Sequence, residues 1–251
     1  MVLFVSDLHY DHRPPPKDPL ISAGDHAERE LIACLNYYRP ELTHVVLLGD
    51  LFDAWIEYRD LVPKGLTRLF GLLAHWADQG LRVTVVTGNH DPWHRDYLER
   101  HLGFRVLRHS AVETLEGRLT AFGHGDQEEH GGMTAWQRFI RSRFVHTLYA
   151  ESFPGGFGLW LARMWSRGAR SSRLDPELVA ALRTHAHGLL KAGTADTVVF
   201  AHCHLPQHDE VTGGSYVNTG SWALHRSFAT LDAGGIRLRT WPIEAKREAG
   251  T

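Results

Sequence analysis

Cysteine is nearly absent. Cys34 and Cys203 are the only two in 251 residues, too few for a disulfide framework, and their scarcity fits a reducing compartment. An excess of charge of one sign is also missing: 27 Lys and Arg stand against 29 Asp and Glu, a formal net charge of -2. Bulk electrostatics therefore favour neither nucleic acid nor an acidic partner. No apolar run approaches the roughly 20 residues of a membrane-spanning helix. The first apolar run, Val2 to Val5, stops at Ser6-Asp7 and is too short for a signal-peptide core. Together these absences make the cytoplasm the expected setting. Hydrophobic content of 43% against 22% charged residues suits a chain of this length with one well-buried core.

One residue type is abundant: there are 18 histidines. Histidine is the commonest metal-ligating side chain, but most histidines in proteins are surface or core residues, so position has to decide. Several β-branched-rich runs end abruptly in polar residues. They are Val2–Val5, Val45–Leu48, Val83–Thr87, Leu119–Phe122 and Val198–Ala201. Continuous apolar runs of this length read as strands buried on both faces. Between them, Asp25–Tyr38 and Leu66–Gln79 repeat apolar residues at helical spacing. Strands alternating with helices indicate an α/β layered fold. Shorter strands follow Asp209: Ser215–Asn218, Ser227–Leu231 and Ile236–Trp241, the last two joined by the turn Asp232-Ala233-Gly234-Gly235.

The polar residues closing those runs carry the chemistry. Asp7-Leu8-His9, Gly49-Asp50, Gly88-Asn89-His90-Asp91, Gly123-His124 and His202-Cys203-His204 each follow a strand. In open α/β sheets ligands bind beyond the carboxyl ends of strands, so five strands deliver carboxylates, imidazoles and an amide to one edge. Residues i and i+2 of an extended segment point the same way. On that basis Asp7 with His9, and His202 with His204, are each expected to converge. Mixed carboxylate and imidazole donors suit Mn²⁺, Fe²⁺ or Zn²⁺, and about seven donors are too many for one ion. Asp53 and Trp55, just beyond Asp50, read as packing residues.

The ordered series Asp-X-His, Gly-Asp, Gly-Asn-His-Asp, Gly-His and His-X-His resembles the calcineurin-like metallophosphoesterases, from Asp7 to His204. The resemblance implies a four-layer α/β/β/α sandwich that hydrolyses phosphate esters or anhydrides with two divalent ions, Mn²⁺ before Fe²⁺ or Zn²⁺. It implies that Asp7, His9, Asp50 and His204 hold the first ion. Asn89, His124 and His202 complete the second, with Asp50 bridging. Water activated between the ions attacks phosphorus. His90 stabilises the transition state or protonates the leaving group, and Asp91 orients a histidine. Ala201 replaces the glycine usual before the last motif.

Residues 128–190 depart from the α/β rhythm, which leaves 1–127 and 191–251 as the core. The stretch is helical in pattern and rich in Trp, Phe and Leu. From His130 to Arg173 it carries seven arginines against a single acid, Glu151. The bland reading is a helical hairpin packed on the core. Two features resemble UDP-2,3-diacylglucosamine hydrolases: Gly49-Asp50-Leu51-Phe52-Asp53-Ala54-Trp55-Ile56, and an insert with Trp136-Gln137-Arg138-Phe139 and Arg163-Met164 leading to Ser171-Ser172-Arg173. That resemblance implies a lid over the site, with Asn89, His90, Ser166, Arg170 and Arg173 as substrate contacts. It also implies a groove of Trp160, Leu161, Met164 and Trp165 for acyl chains. Arginines there suit an anionic lipid-nucleotide substrate at the surface of the inner membrane.

The third motif argues differently. Those hydrolases read Gly-Asn-Arg-Asp, and His90 replaces the arginine, so a phosphoesterase for a cyclic nucleotide or a dinucleotide polyphosphate stays open. A scaffold that has lost catalysis is a third reading, although every expected ligand position is filled. Segment 11–23, with Pro14-Pro15-Pro16, reads as a loop beside the metal edge.

Overall fold

The computed structural model describes residues 1–11, 24–128, 133–169 (side chains as far as 164) and 175–242. In chain order the elements are β1 (Val2–Val5), α1 (Gly24–Tyr38), β2 (His44–Leu47), α2 (Thr67–Asp78), β3 (Arg82–Val86), α3 (Tyr97–Leu102), β4 (Arg105–Leu107), β5 (Ala111–Leu115) and β6 (Arg118–Phe122). They continue as α4 (Ala135–Ile140), α5 (Arg143–Ser152), α6 (Gly155–Ala169), α7 (Pro176–Lys191), β7 (Thr197–Phe200), β8 (Pro206–Val211), β9 (Gly214–Thr219), α8 (Trp222–His225), β10 (Ser227–Asp232) and β11 (Gly235–Thr240).

Two sheets stack face to face. One runs β11-β10-β1-β2-β3-β4 and the other β5-β6-β7-β9-β8. Strands β1, β2, β3 and β4 are mutually parallel, as are β6, β7 and β9. The layering follows from the period-2 alternation of strand side chains. Leu3, Val5, Val45, Leu47, Val83 and Val85 face outward to meet Leu31, Leu35, Leu69, Leu73 and Trp76 of α1 and α2. Their neighbours Val2, Phe4, Val46, Leu48 and Val86 turn inward onto Phe122, Val199, Ala201 and Val217 of the second sheet. Ala121, Val198, Phe200 and Tyr216 face out again, onto Ala186 and Leu190 of α7. The result is the α/β/β/α sandwich. Helix α7 lies within the 128–190 stretch, yet its face of Leu182, Ala186 and Leu190 is buried and supplies the fourth layer.

Strands β4, β5 and β8 carry no signal of the kind that marked the others. β4 has three residues, while β5 and β8 are edge strands whose outer positions are polar or exposed. Helices α4, α5 and α6 do not share in the core. Among their described side chains only His146 is buried. Trp136, Phe139, Phe144, Leu148, Phe157, Trp160 and Met164 are at least half exposed, Phe144 the most at 71%. Segment 12–23, and with it nearly all of the Asp11–Ala23 loop, lies outside the described residues.

Candidate metal centre

All five motifs emerge at the carboxyl ends of parallel strands β1, β2, β3, β6 and β7, at one edge of the sandwich. The backbone there is not extended. Asp7, His9, Asp50, His202 and His204 have φ of 51°, 45°, 49°, 68° and 57°. Left-handed conformations of non-glycine residues cost of order 1–3 kcal/mol each and gather where the surroundings impose them. Five of the eight such residues described in this chain are in the motifs.

This corrects the expectation that each i, i+2 pair converges through extended geometry. Asp7 and His9 do meet, His9 Nε2 lying 3.5 Å from Asp7 Oδ1, but through alternating left-handed turns. His202 and His204 separate into different clusters.

Among the described residues three groups of donor atoms form: Asp7, His9 and His204; His9, Asp50 and His90; and Asp50, His124 and His202. His204 Nε2 is 3.0 Å from Asp7 Oδ1 and 3.1 Å from His9 Nε2. Asp50 Oδ2 lies between the outer groups, 3.8 Å from His9 Nε2 and 3.4 Å from His124 Nε2. Asn89 joins on the exposed side, its Oδ1 3.0 Å from His124 Nε2.

Supporting bonds aim these atoms. The His90 backbone N–H donates to Asp50 Oδ1 at 2.9 Å, which leaves Oδ2 for the cluster. His124 Nδ1 donates to the Leu48 carbonyl at 2.7 Å, which fixes the ring with Nε2 facing the site. Gly88 is needed for close approach: a Cβ there would stand 2.0 Å from Asp50 Oδ1 and 2.4 Å from the Asp50 nitrogen.

Electrostatics agree with the geometry. Burial opposes the charge on Asp7 and Asp50, but the facing imidazoles of His204 and His9, and of His124 and His90, outweigh it and hold both carboxyls well below the usual range. Asp7 Oδ1 is fully buried, with His204 Nε2 and His9 Nε2 at 3.0 and 3.5 Å. Inward-facing nitrogen and oxygen donors around such an atom fit borderline divalent cations, so the residues present suit two ions.

Asp91 behaves differently from its expected role. Its carboxylate accepts four backbone N–H groups, from Gly88 and Leu51 at 2.8 Å, Asp50 at 3.2 Å and Phe52 at 3.4 Å. It clamps the β2 and β3 loops together rather than orienting a histidine, because its side chain is buried behind the motif backbone. Burial, then the charge of Asp50, push its carboxyl up to about 6.

Asp53, expected only to pack, is fully buried with Oδ1 4.0 Å from both His9 Nδ1 and His90 Nδ1. Its carbonyl is 3.3 Å from His90 Nδ1. The available signal was its place three residues after Asp50, where a turn can bring it back toward the motif. Of the expected substrate contacts, Asn89 and His90 reach the site. The Ser166 side chain, Arg170 and Arg173 lie outside what is described, as does the Trp165 side chain.

Residues 1–206 match the sequence model of the calcineurin-like phosphoesterases. The chain belongs to that family. It is a hydrolase of phosphate esters or anhydrides, and such phosphoesterases use divalent metals. A Porphyromonas gingivalis protein named UDP-2,3-diacylglucosamine hydrolase is 36% identical over 156 residues, 61% of this chain and 57% of that protein. A Xanthomonas oryzae protein of the same name is 26% identical over 96% of this chain and 99% of its own length. An archaeal phosphodiesterase structure aligns over 95% of this phosphoesterase and 98% of its own chain, with a TM-score of 0.49 at 12% identity, too loose a likeness to argue from. No helix among the described residues of this phosphoesterase is long and apolar enough to cross a membrane.

Proposed function

We propose that this phosphoesterase cleaves the phosphoanhydride of UDP-2,3-diacylglucosamine, releasing UMP and a diacylglucosamine phosphate, with two Mn²⁺ ions as cofactors. The observation that carries the reading is the insert. A metal edge for a soluble phosphate needs no apolar cover, yet among the described side chains of α4 to α6 seven large apolar ones are exposed. Arg141 of α4 and Arg163 of α6 fasten those helices to the motif loops at Gly88 and Asp11. Exposed apolar groups in such number suit acyl chains and contact with a lipid surface. Relatives carrying that name support the reading along nearly the whole chain.

Asp7, His9 and His204 would hold one ion, and Asn89, His124 and His202 the other, with Asp50 between them. When bound, the ions neutralise the phosphoryl oxygens and lower the pKa of water at the site. The protein supplies the rest. His90 is partly exposed on the rim, with Nε2 3.9 Å from Asp50 Oδ2. Nδ1 lies 3.3 Å from the Asp53 carbonyl and 4.0 Å from its carboxylate, which orients the ring with Nε2 toward the site. From there Nε2 would be placed to pass a proton to the departing oxygen.

The test is UMP release from UDP-2,3-diacylglucosamine by purified protein with Mn²⁺, compared with UDP-N-acetylglucosamine and bis(p-nitrophenyl) phosphate. The reading predicts strong preference for the diacyl substrate and its loss in the Trp160→Ala variant. No UMP release, with ready cleavage of the small diester, would leave a phosphoesterase of another specificity, which the histidine at position 90 favours.

A further inference from the structure

We propose that Arg141, contributed by the insert, is a positioning residue for the metal centre: it locks the Asn89 loop to the His124 loop. This rests on reading Asn89 and His124 as metal donors and is independent of the lipid substrate.

Arg141 caps the carboxyl end of α4, outside the sandwich. Its guanidinium nevertheless reaches three groups on the core. Nη2 donates to the Gly88 carbonyl at 2.9 Å and to the Asp126 carboxylate, and Nη1 donates to Thr87 Oγ1 at 3.4 Å. Gly88 immediately precedes Asn89, and Asp126 lies two residues past His124. One planar group therefore spans the two loops whose side chains meet at Asn89 Oδ1 and His124 Nε2, 3.0 Å apart.

The contact is largely dry, the side chains being 10% and 3% exposed. A buried ion pair is weak evidence for net stability, since desolvation offsets the attraction. What it does supply is fixed geometry, and the rigid fork of arginine matches two acceptors where a lysine ammonium is a point charge. Asp126 also faces an asymmetry. Its Oδ1 has no hydrogen-bond partner, so Arg141 is the cation that compensates a carboxylate two residues from a metal donor.

Removing the guanidinium should not release α4. Gln137 Nε2 still donates to the Asp126 carbonyl at 3.0 Å, and Trp93 Nε1 to the Ile140 carbonyl at 2.8 Å. The expected defect is thus confined to the alignment of the two loops. A helix that serves only as a cover would have no reason to hold the backbone of a ligand loop.

The experiment compares wild type, Arg141→Met and Arg141→Lys by three measurements: melting without metal, Mn²⁺ titration followed by electron paramagnetic resonance, and hydrolysis of bis(p-nitrophenyl) phosphate, which does not need the lipid groove. Supporting-residue changes at metal sites cost about 10- to 100-fold, and that range is expected here for the affinity of one of the two ions. The metal-free melting temperature should stay near wild type. kcat for the diester should fall by a similar factor with KM little changed, and Arg141→Lys should recover part of both losses. Wild-type Mn²⁺ affinity and kcat in Arg141→Met would overturn the proposal. So would failure of both variants to melt cooperatively, because Arg141 would then be a folding residue. Absence of Mn²⁺ binding by the wild type would instead remove the metal reading itself.

Discussion

Acid should destabilise this protein through His94, and replacing that side chain should remove a definable part of the effect. His94 is 3% exposed and stacks on Trp55 with ring centroids 5.3 Å apart. Burial chiefly, then the positive charge of Arg108, lower its pKa from 6.5 to about 3. The folded state therefore keeps it neutral, while the unfolded chain takes up a proton as pH falls through 6.5.

A lowered histidine pKa leaves stability intact above the unfolded value and removes it progressively between that value and the folded one. From pH 8 to pH 5 the linkage relation gives a loss of about 2 kcal/mol from this residue. At roughly 2–4 °C per kcal/mol for a chain of this length, that is about 4–8 °C in melting temperature. His94→Phe keeps a ring of similar size against Trp55. Its pH-independent packing cost cancels when each protein is compared with itself. His44, lowered to about 4 by burial and by Arg82, titrates equally in both proteins and cancels too.

The assay is denaturant unfolding by circular dichroism at pH 8 and pH 5, with chelator present so that metal loss does not contribute. The acid-induced loss should be about 2 kcal/mol smaller in His94→Phe. Equal losses in the two proteins would refute the argument.

Two predictions bear on the site. Gly88→Ala drives a methyl group into Asp50, with Oδ1 at 2.0 Å and backbone at 2.4 Å. Mn²⁺-dependent diester hydrolysis should fall by at least about 100-fold, and the number of tightly bound Mn²⁺ ions, measured by equilibrium dialysis, should drop. Asp53→Asn removes the charge 4.0 Å from His9 and His90. It should lower kcat for the diester by about 10- to 100-fold, because both rings lose the carboxylate that faces them. An unchanged kcat would place Asp53 among the packing residues.

Much of this architecture was legible in residue order. Val2–Val5, Val45–Leu48 and Val198–Ala201 are apolar on both faces because both sides of their sheets are covered, and that doubled burial is what makes a strand visible in sequence. Each then stops at a polar motif, because a sheet of parallel strands presents its carboxyl ends together. The fold class, the edge carrying the site and the donor residues of the motifs follow from those facts.

Other features depended on distance through space. β5 and β8 are edge strands with polar outer positions, and their pattern matches that of a loop. Asp91 and Asp53 are both acids close to motif residues. Only the backbone path shows that Asp91 gathers four amide N–H groups while Asp53 faces two imidazoles. The same holds for His202 and His204: spacing says that they point the same way, but their left-handed backbone sends each to a different cluster. The insert adds the last case. Arg141 lies 53 residues from Gly88 and 15 from Asp126, and only the packing of α4 brings its guanidinium between them.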